Sequence, residues 1–331
     1  MQLNINNYFR QYSSLFVRQN TNERSFLQCD SWMILTPIEQ RIKAKIEAVG
    51  TPLKDWDINI YRGILTGYNE AFIVDGKKKD ELIAEDPNSA EIIRPILRGR
   101  DIKRYSYDFA DLWILFIPWH FPLQNNPTIK GVSQEAETAF KAQYPAIYNH
   151  LLQYKTALEN RNQAETGIRY EWYALQRWGA NYWEDFSKQK IVWGNLNLTA
   201  TYCIAEAGMF VSAPCPMIVP ANKYLLAILN SKLADYYIRN LGVTRNGGYF
   251  EYKPMFIEQL PVPMNIKSDL SKIIVEHCEA IQSYKKNNLD YQEIDAELNR
   301  IIYNLYGLDR EEIQFIESIN SISSLDNSNN L

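Results

Sequence analysis

Tyr61-Arg62-Gly63-Ile64-Leu65-Thr66-Gly67-Tyr68-Asn69-Glu70-Ala71-Phe72-Ile73-Val74-Asp75 and Ile92-Ile93-Arg94-Pro95-Ile96-Leu97-Arg98-Gly99-Arg100-Asp101-Ile102-Lys103-Arg104-Tyr105 are the two stretches that decide how this chain reads. The first has the pattern of a strand, a tight Thr-Gly turn and a returning strand. The second packs Arg94, Arg98, Arg100, Lys103 and Arg104 into eleven residues, opposed only by Asp101, and ends on an aromatic ring. Guanidinium groups fork onto phosphates and guanine edges, so a rigid hairpin beside clustered arginines suits a surface that meets a polyanion. The alternative is a solvated face, with the arginines salt-bridged to Glu81, Glu85 or Glu91.

Outward from these stretches, composition bounds the fold. The chain has 331 residues, 46% of them hydrophobic and 13% aromatic, with 22 Tyr and 8 Trp, enough to bury a core of one large domain or two modest ones. A net charge of -4 argues against a positive coat, but DNA binding needs only one basic face. No run approaches the roughly 18 apolar residues that would cross a bilayer. Met1 to Arg10 lacks the apolar stretch of a signal peptide, so a cytoplasmic protein without membrane partners is expected. Cys29, Cys203, Cys215 and Cys278 form no CxxC pair, and His120, His150 and His277 show no ligand spacing. A zinc ribbon is therefore not expected, and His277 reads as a packing residue beside Ile273, Ile274 and Ile281.

Thr36-Pro37-Ile38-Glu39 is a capping box with Pro at the first helical position. Ile38, Ile42, Ile46 and Val49 follow at helical spacing, and Gly50 stops the helix. Trp56, Ile58 and Ile60 alternate as a half-buried strand. Gly76 to Asp80 reads as a charged turn, and Asn88-Ser89 as the cap of a short helix through Ile93. Trp113 to Ile117 is a buried strand, and residues 133 to 160 are helical with a break near Pro145. Lys190 to Trp193, Thr201 to Ala205, Met209 to Val211 and Met217 to Val219 are short strands. The last third turns helical, with one amphipathic helix over Leu225 to Tyr237, others over 270–281 and 294–305, and a short fourth started by Asp309 and Glu312. This order gives an α+β fold: a β-rich recognition domain with peripheral helices and a helical C-terminal tail. The expected division is a poorly defined lead-in over 1–31, the recognition domain over 32–263, the helical tail over 264–320 packed on the domain or on a partner, and a frayed end over 321–331.

Two further segments could touch a nucleic acid. Arg245 and Asn246 stand at an Asn-Gly turn, followed by Tyr249, Tyr252 and Lys253 along a strand; an ordinary hairpin has the same signature. Asn195 and Asn197 follow the strand Lys190 to Trp193, and Asn can pair bidentately with adenine, though a loop with two Asn is also simply a turn. The aromatic block Tyr170, Trp172, Tyr173, Trp178, Tyr182 and Trp183 suits a core or a surface that stacks on an extruded base. A different class of reading makes the chain a Mg2+-dependent nuclease through Asp75, Asp101 and Asp111, and a third makes it a protein-interaction scaffold.

The ordered pieces resemble the TaqI-like C-terminal specificity domain of type II restriction-modification enzymes. The likeness runs through Leu35-Thr36-Pro37-Ile38-Glu39-Gln40 and Gly50-Thr51-Pro52-Leu53, the two opening stretches and Lys190-Ile191-Val192-Trp193. It continues through Tyr224-Leu225-Leu226-Ala227-Ile228-Leu229-Asn230-Ser231-Lys232-Leu233, Gly247-Gly248-Tyr249, Leu260-Pro261-Val262-Pro263 and Ile301-Ile302-Tyr303-Asn304-Leu305-Tyr306-Gly307-Leu308. The resemblance implies a bacterial target recognition domain that binds double-stranded DNA and works with an adenine-specific methyltransferase domain or subunit. The chain has no Asn-Pro-Pro-aromatic motif, no strand-linked Gly-rich loop for S-adenosylmethionine, and no Pro-Asp dipeptide of the common nuclease signature. Cofactor chemistry, S-adenosylmethionine and Mg2+ where a nuclease is joined, is therefore expected of the catalytic partner and not of this chain. The residues expected at DNA are Arg62, Thr66, Tyr68, Asn69, Arg98, Arg100, Lys103, Arg104, Tyr105, Asn195, Asn197, Arg245, Asn246, Tyr249, Tyr252 and Lys253.

Overall fold

In the computed structural model of the chain, residues 35–242, 244–264 and 269–328 are described; the expected lead-in over 1–31 and residue Cys29 lie outside them. The fold is α+β. It opens with the helix Pro37–Val49. Glu39 accepts the Thr36 backbone N–H at 2.7 Å, and the Thr36 hydroxyl accepts the Glu39 N–H in return. Ile42 and Ile46 are its buried residues, while Val49 is exposed.

Two four-stranded sheets follow. The first runs Tyr202–Ala205, Lys190–Trp193, Pro216–Val219, Asn59–Arg62, every neighbour antiparallel. Its central strands are buried at every position. Successive side chains point to opposite faces, and here each face has its own core. Val192, Cys203, Ala205, Met217 and Val219 join one apolar cluster with Phe140, Leu151 and Tyr173. Ile191, Trp193, Tyr202 and Ile218 join the other with Ile46, Leu229, Ile274 and Ile302. The second cluster thus takes in the helices Asp269–Lys286 and Gln292–Leu305, which pack against Lys223–Leu229 and Lys232–Leu241. Lys190 is the polar exception in the sheet. Its ammonium is fully buried and donates to the carbonyls of Glu206 and Met209 at 3.1 and 2.9 Å.

The second sheet runs Phe210–Val211, Ile93–Leu97, Leu112–Leu115, Ile73–Asp75. This overturns the expected hairpin over 61–75. Asn59–Arg62 pairs with Pro216–Val219, and Ile73–Asp75 pairs with Leu112–Leu115, so the two strands belong to different sheets. The link between them is local. The Thr66 hydroxyl accepts the Tyr68 N–H and donates to Asn69 Oδ1 at 2.6 Å, folding the chain into the helical turn Asn69–Phe72. The expected turn at 76–80 is the start of the helix Gly76–Glu85, capped by the Asp75 carboxylate on the Lys78 N–H. The helix expected through Ile93 ends at Glu91 as a 3-10 turn capped by Asp86, and Ile93–Leu97 is a strand.

The single helix expected over Leu225 to Tyr237 is two helices, divided at Asn230-Ser231. The Ser231 hydroxyl caps the second through the Ala234 N–H. The Asn230 amide accepts the Tyr202 N–H and donates to the Tyr202 carbonyl, both at 3.0 Å. One side chain thereby takes both backbone groups of Tyr202 on the outer edge of the first sheet, where the Tyr202 carbonyl also accepts the Tyr105 N–H at 2.8 Å. The fourth helix, Arg310–Ser328, is longer than expected.

Trp193 is fully buried on this sheet and donates from Nε1 to the Tyr252 carbonyl at 2.6 Å. Trp193→Ala removes a fully buried indole and its hydrogen bond, and is expected to cost about 3–5 kcal/mol. Urea unfolding of the variant beside the native chain measures it.

Candidate nucleic-acid interface

Five loops converge at one end of the first sheet. Arg62 ends its strand opposite Pro216. Gly99 packs between Cys215 and Gly194; a Cβ there would stand 3.3 Å from the Cys215 sulfur and 4.0 Å from the Gly194 Cα. Asn195 accepts the Tyr252 N–H on its carbonyl at 2.9 Å, and Leu196–Asn197 pairs with Phe250–Glu251. Together Arg62, Asn195, Pro214, Pro216, Lys253 and Met255 line an open depression of about 330 Å³.

The aromatic layer supports this end from below. Tyr61 stacks on Tyr182 with centroids 4.3 Å apart, and the Tyr182 hydroxyl donates to the Arg62 carbonyl at 3.0 Å. Tyr170, Trp172 and Tyr173 are core residues, and Trp183 is exposed.

The charges are arranged in two ways. Arg98 grips Asp101 through Nε at 3.0 Å and Nη2 at 2.7 Å, while its backbone N–H donates to the same carboxylate at 2.8 Å. Burial pushes the Asp101 carboxyl up, but the Arg98 side chain and backbone more than offset it, so the net direction is down. Arg98 therefore holds the turn that presents Arg100. At the far loop, Glu251 receives Arg245 on Oε1 and Lys253 on Oε2, at 2.5 and 2.6 Å. The two cations hold the Glu251 carboxyl below its usual range, Lys253 contributing most. Arg62 and Arg100 are exposed and, among the described residues, form no ion pair; the Arg100 carbonyl accepts the exposed Lys103 at 2.9 Å.

Of the expected contact residues, the structure brings Arg62, Arg98, Arg100, Asn195, Asn197, Arg245 and Lys253 to this end, with exposed Tyr249 on the 245–249 turn. The side chain of Asn246 lies outside the described atoms. Four residues do other work. Tyr105 is buried, its ring under the Arg104 guanidinium at 4.8 Å. Tyr252 is fully buried and donates to Asp235 at 2.5 Å. Thr66 is buried in the local turn described above and cannot present its hydroxyl. Arg104 is tied to Asp295 at 2.6 Å and to the Asn230 carbonyl at 2.8 Å, anchoring its loop to the helical layer. Tyr68 packs on Tyr154, and the Thr66–Asn69 turn lies against Arg161 and Gln176. Arg94 spends its guanidinium on the carbonyls of Ala90, Glu91 and Ile93.

The carboxylates of the nuclease reading are each occupied: Asp75 caps a helix, Asp101 holds Arg98, and Asp111 accepts Trp113 Nε1 at 2.8 Å. Among the described residues, no three of His, Cys, Asp and Glu come together as metal ligands. Cys203, Cys215 and Cys278 are buried free thiols, and among the described residues no helix is long and apolar enough to cross a membrane. Reading the sequence missed the Pro214, Pro216 and Met255 floor and the Glu251 clamp.

The chain belongs to the TaqI-like C-terminal specificity domain family, whose model matches residues 94–262, just over half of it. That match includes the arginine cluster, the strand Lys190–Trp193 and the Asn230-Ser231 break, and leaves 61–75 outside. The chain is 23% identical to the type II methyltransferase M.MjaIV of Methanocaldococcus jannaschii over 250 residues, 72% of this chain and 76% of that one. Among solved structures it is similar to the type IIL restriction-modification enzyme MmeI in complex with DNA. The TM-score is 0.51 at 14% identity, over 92% of this chain and 38% of MmeI. It is also similar to the type IIG restriction endonuclease BpuSI, with TM-score 0.47 at 14% identity, over 81% of this chain and 32% of that one. The chain thus spans well under half the length of these two enzymes.

The depressed Asp101 carboxyl has an acid signature. Its contribution is complete above the unfolded value of 3.8 and is lost as pH falls through the lower folded value. Asp101→Asn is expected to lose on the order of 2 kcal/mol near neutral pH, with the deficit shrinking in acid. Unfolding free energies of both proteins between about pH 2 and 6 check this.

Proposed function

We propose that this chain reads the DNA target of a type II restriction-modification enzyme. It performs no chemistry alone and directs an adenine-specific methyltransferase domain or subunit that supplies the S-adenosylmethionine chemistry. The observation that carries this reading is the convergence of five loops, two of them bearing unpaired arginines, on a chain of the specificity-domain family. Arg62, Arg100 and Lys103 contact phosphates, and the 98–101, 194–197 and 245–249 turns face the bases. Phosphate contacts fix register and base contacts specify sequence. Held by its bidentate partner, Arg98 orients this face from within.

Titration of duplex pools by fluorescence anisotropy, with and without the cognate methyltransferase, tests the proposal. Arg62→Glu with Arg100→Glu is expected to weaken binding at every sequence and to flatten the dependence of log K on log salt by roughly 2, at about 0.9 per phosphate lost. Unchanged binding by the double variant would overturn the proposed face.

Glu251→Gln should act in the opposite direction. It removes the charge shared by Arg245 and Lys253. Affinity for non-cognate duplex is expected to rise several-fold at low salt, so that discrimination between cognate and non-cognate DNA narrows. The ratio of the two dissociation constants, measured for both proteins, reads it directly.

A further inference from the structure

The depression beside Arg62 combines two chemistries. Asn195 is half-buried on its rim, and its side-chain amide makes no hydrogen bond among the described residues. Asn197, two residues on, donates its amide to the Gly194 carbonyl at 2.8 Å and is spent. Asn195 therefore offers a free donor and a free acceptor from a fixed place, because its own carbonyl is held by the Tyr252 N–H.

Next to this amide the floor is apolar. Pro214 and Pro216 have restricted backbones, and Met255 is 54% exposed although it follows Pro254 on a helical turn anchored by fully buried Ile257. A methionine left this open beside two prolines lacks an apolar partner of its own. Arg62, which has no carboxylate partner among the described residues, flanks it and matches a polyanion in charge, while Lys253 on the other side is paired with Glu251 at 2.6 Å.

An amide with both groups free, set against an apolar floor and between cations, matches one ligand in a duplex. In the major groove adenine presents an N7 acceptor and an N6 donor, while its thymine partner presents a 5-methyl group. We infer that Asn195 and the floor of Pro214, Pro216 and Met255 read one A·T base pair of the target from the major groove. Asn195 pairs bidentately with the adenine edge, and the floor covers the thymine methyl. A G·C pair would instead set the guanine O6 acceptor against the Asn195 Oδ1 acceptor and leave the cytosine N4 donors over the apolar floor. The inference rests on the proposed DNA-reading role.

Base analogues separate the two contacts. The full chain, with its methyltransferase where binding requires it, is first used to select duplexes from a randomised pool. One selected position is expected to be an invariant A·T pair. At that position 7-deaza-adenine, which lacks the N7 acceptor, and deoxyuridine, which lacks the methyl, are substituted one at a time. Native protein should lose about tenfold in affinity to the first and roughly three- to fourfold to the second. Asn195→Ala should be indifferent to 7-deaza-adenine, and Met255→Ala to deoxyuridine, with the salt dependence of both variants unchanged. Both side chains lack core partners, so thermal unfolding should match the native chain. If native protein selects a sequence and Asn195→Ala relaxes no A·T position in it, the inference fails alone. If native protein binds no duplex at low salt, the recognition role fails and takes the inference with it.

Discussion

Burial of one antiparallel sheet on both faces is the constraint on which the molecule depends. A strand shows its side chains to alternate faces, so a sheet covered on one side can alternate apolar with polar residues. Here Lys190–Trp193 and Pro216–Val219 are buried throughout, and each face meets a separate core. The aromatic layer around Phe140 and Tyr173 covers one face. The helices Lys223–Leu229, Asp269–Lys286 and Gln292–Leu305 cover the other. Neither cover is dispensable, because removing either exposes half of the sheet's apolar surface to water. Even at the edge strand the helical side reaches the sheet, through the Asn230 amide on the backbone of Tyr202.

A slab clamped in this way leaves its strand ends as the free places for loops. Rigid elements with short connections hold side chains more precisely than long loops do. The turn at Gly99 touches Cys215 and Gly194 because it is pressed between two connections of the same sheet. Gly63 is equally confined, since a Cβ there would lie 2.4 Å from the Val211 carbonyl oxygen. The geometry of the candidate face is thus a consequence of the double core. The cations on it are positioned by carboxylates of their own chain where position matters: Asp101 for Arg98, and Glu251 for Arg245 and Lys253.

Local signals were legible in the sequence, and long-range ones were not. The Thr36-Glu39 capping box, the apolar runs at 190–193 and 217–219, and the periodic helices after 269 rest on neighbours within a few residues, and they stand where the spacing places them. The 61–75 hairpin failed because its strands find partners far along the chain, Ile60 with Ile218 and Val74 with Trp113. Tyr105 and Tyr252 misled for a related reason. A tyrosine that stacks on a base and one that fills a core have the same composition, and burial alone separates them. The Asp295 that holds Arg104 arrives from a distant helix. Asp101 was visible three residues from Arg98, yet its grip shows only in the geometry of the turn. Nothing in Ala213-Pro214-Cys215-Pro216 indicates that it would share a depression with Met255.

The pairing of charges also bears on how such a face could work in a chain of net charge -4. Of the cations gathered there, Arg98, Arg245 and Lys253 are held by carboxylates, while Arg62 and Arg100 stand without one among the described residues. A face that bound DNA by charge alone would leave its arginines free and would hold any sequence. One in which three cations are already balanced gains little from a bare phosphate backbone, because each must exchange an existing partner for a new one. On the DNA-reading role proposed above, such a surface would discriminate by geometry: favourable contact would require base edges that meet fixed donors and an apolar floor at the same time. Restraint of charge is then a means to specificity, since weak attachment to wrong sites widens the gap to the right one.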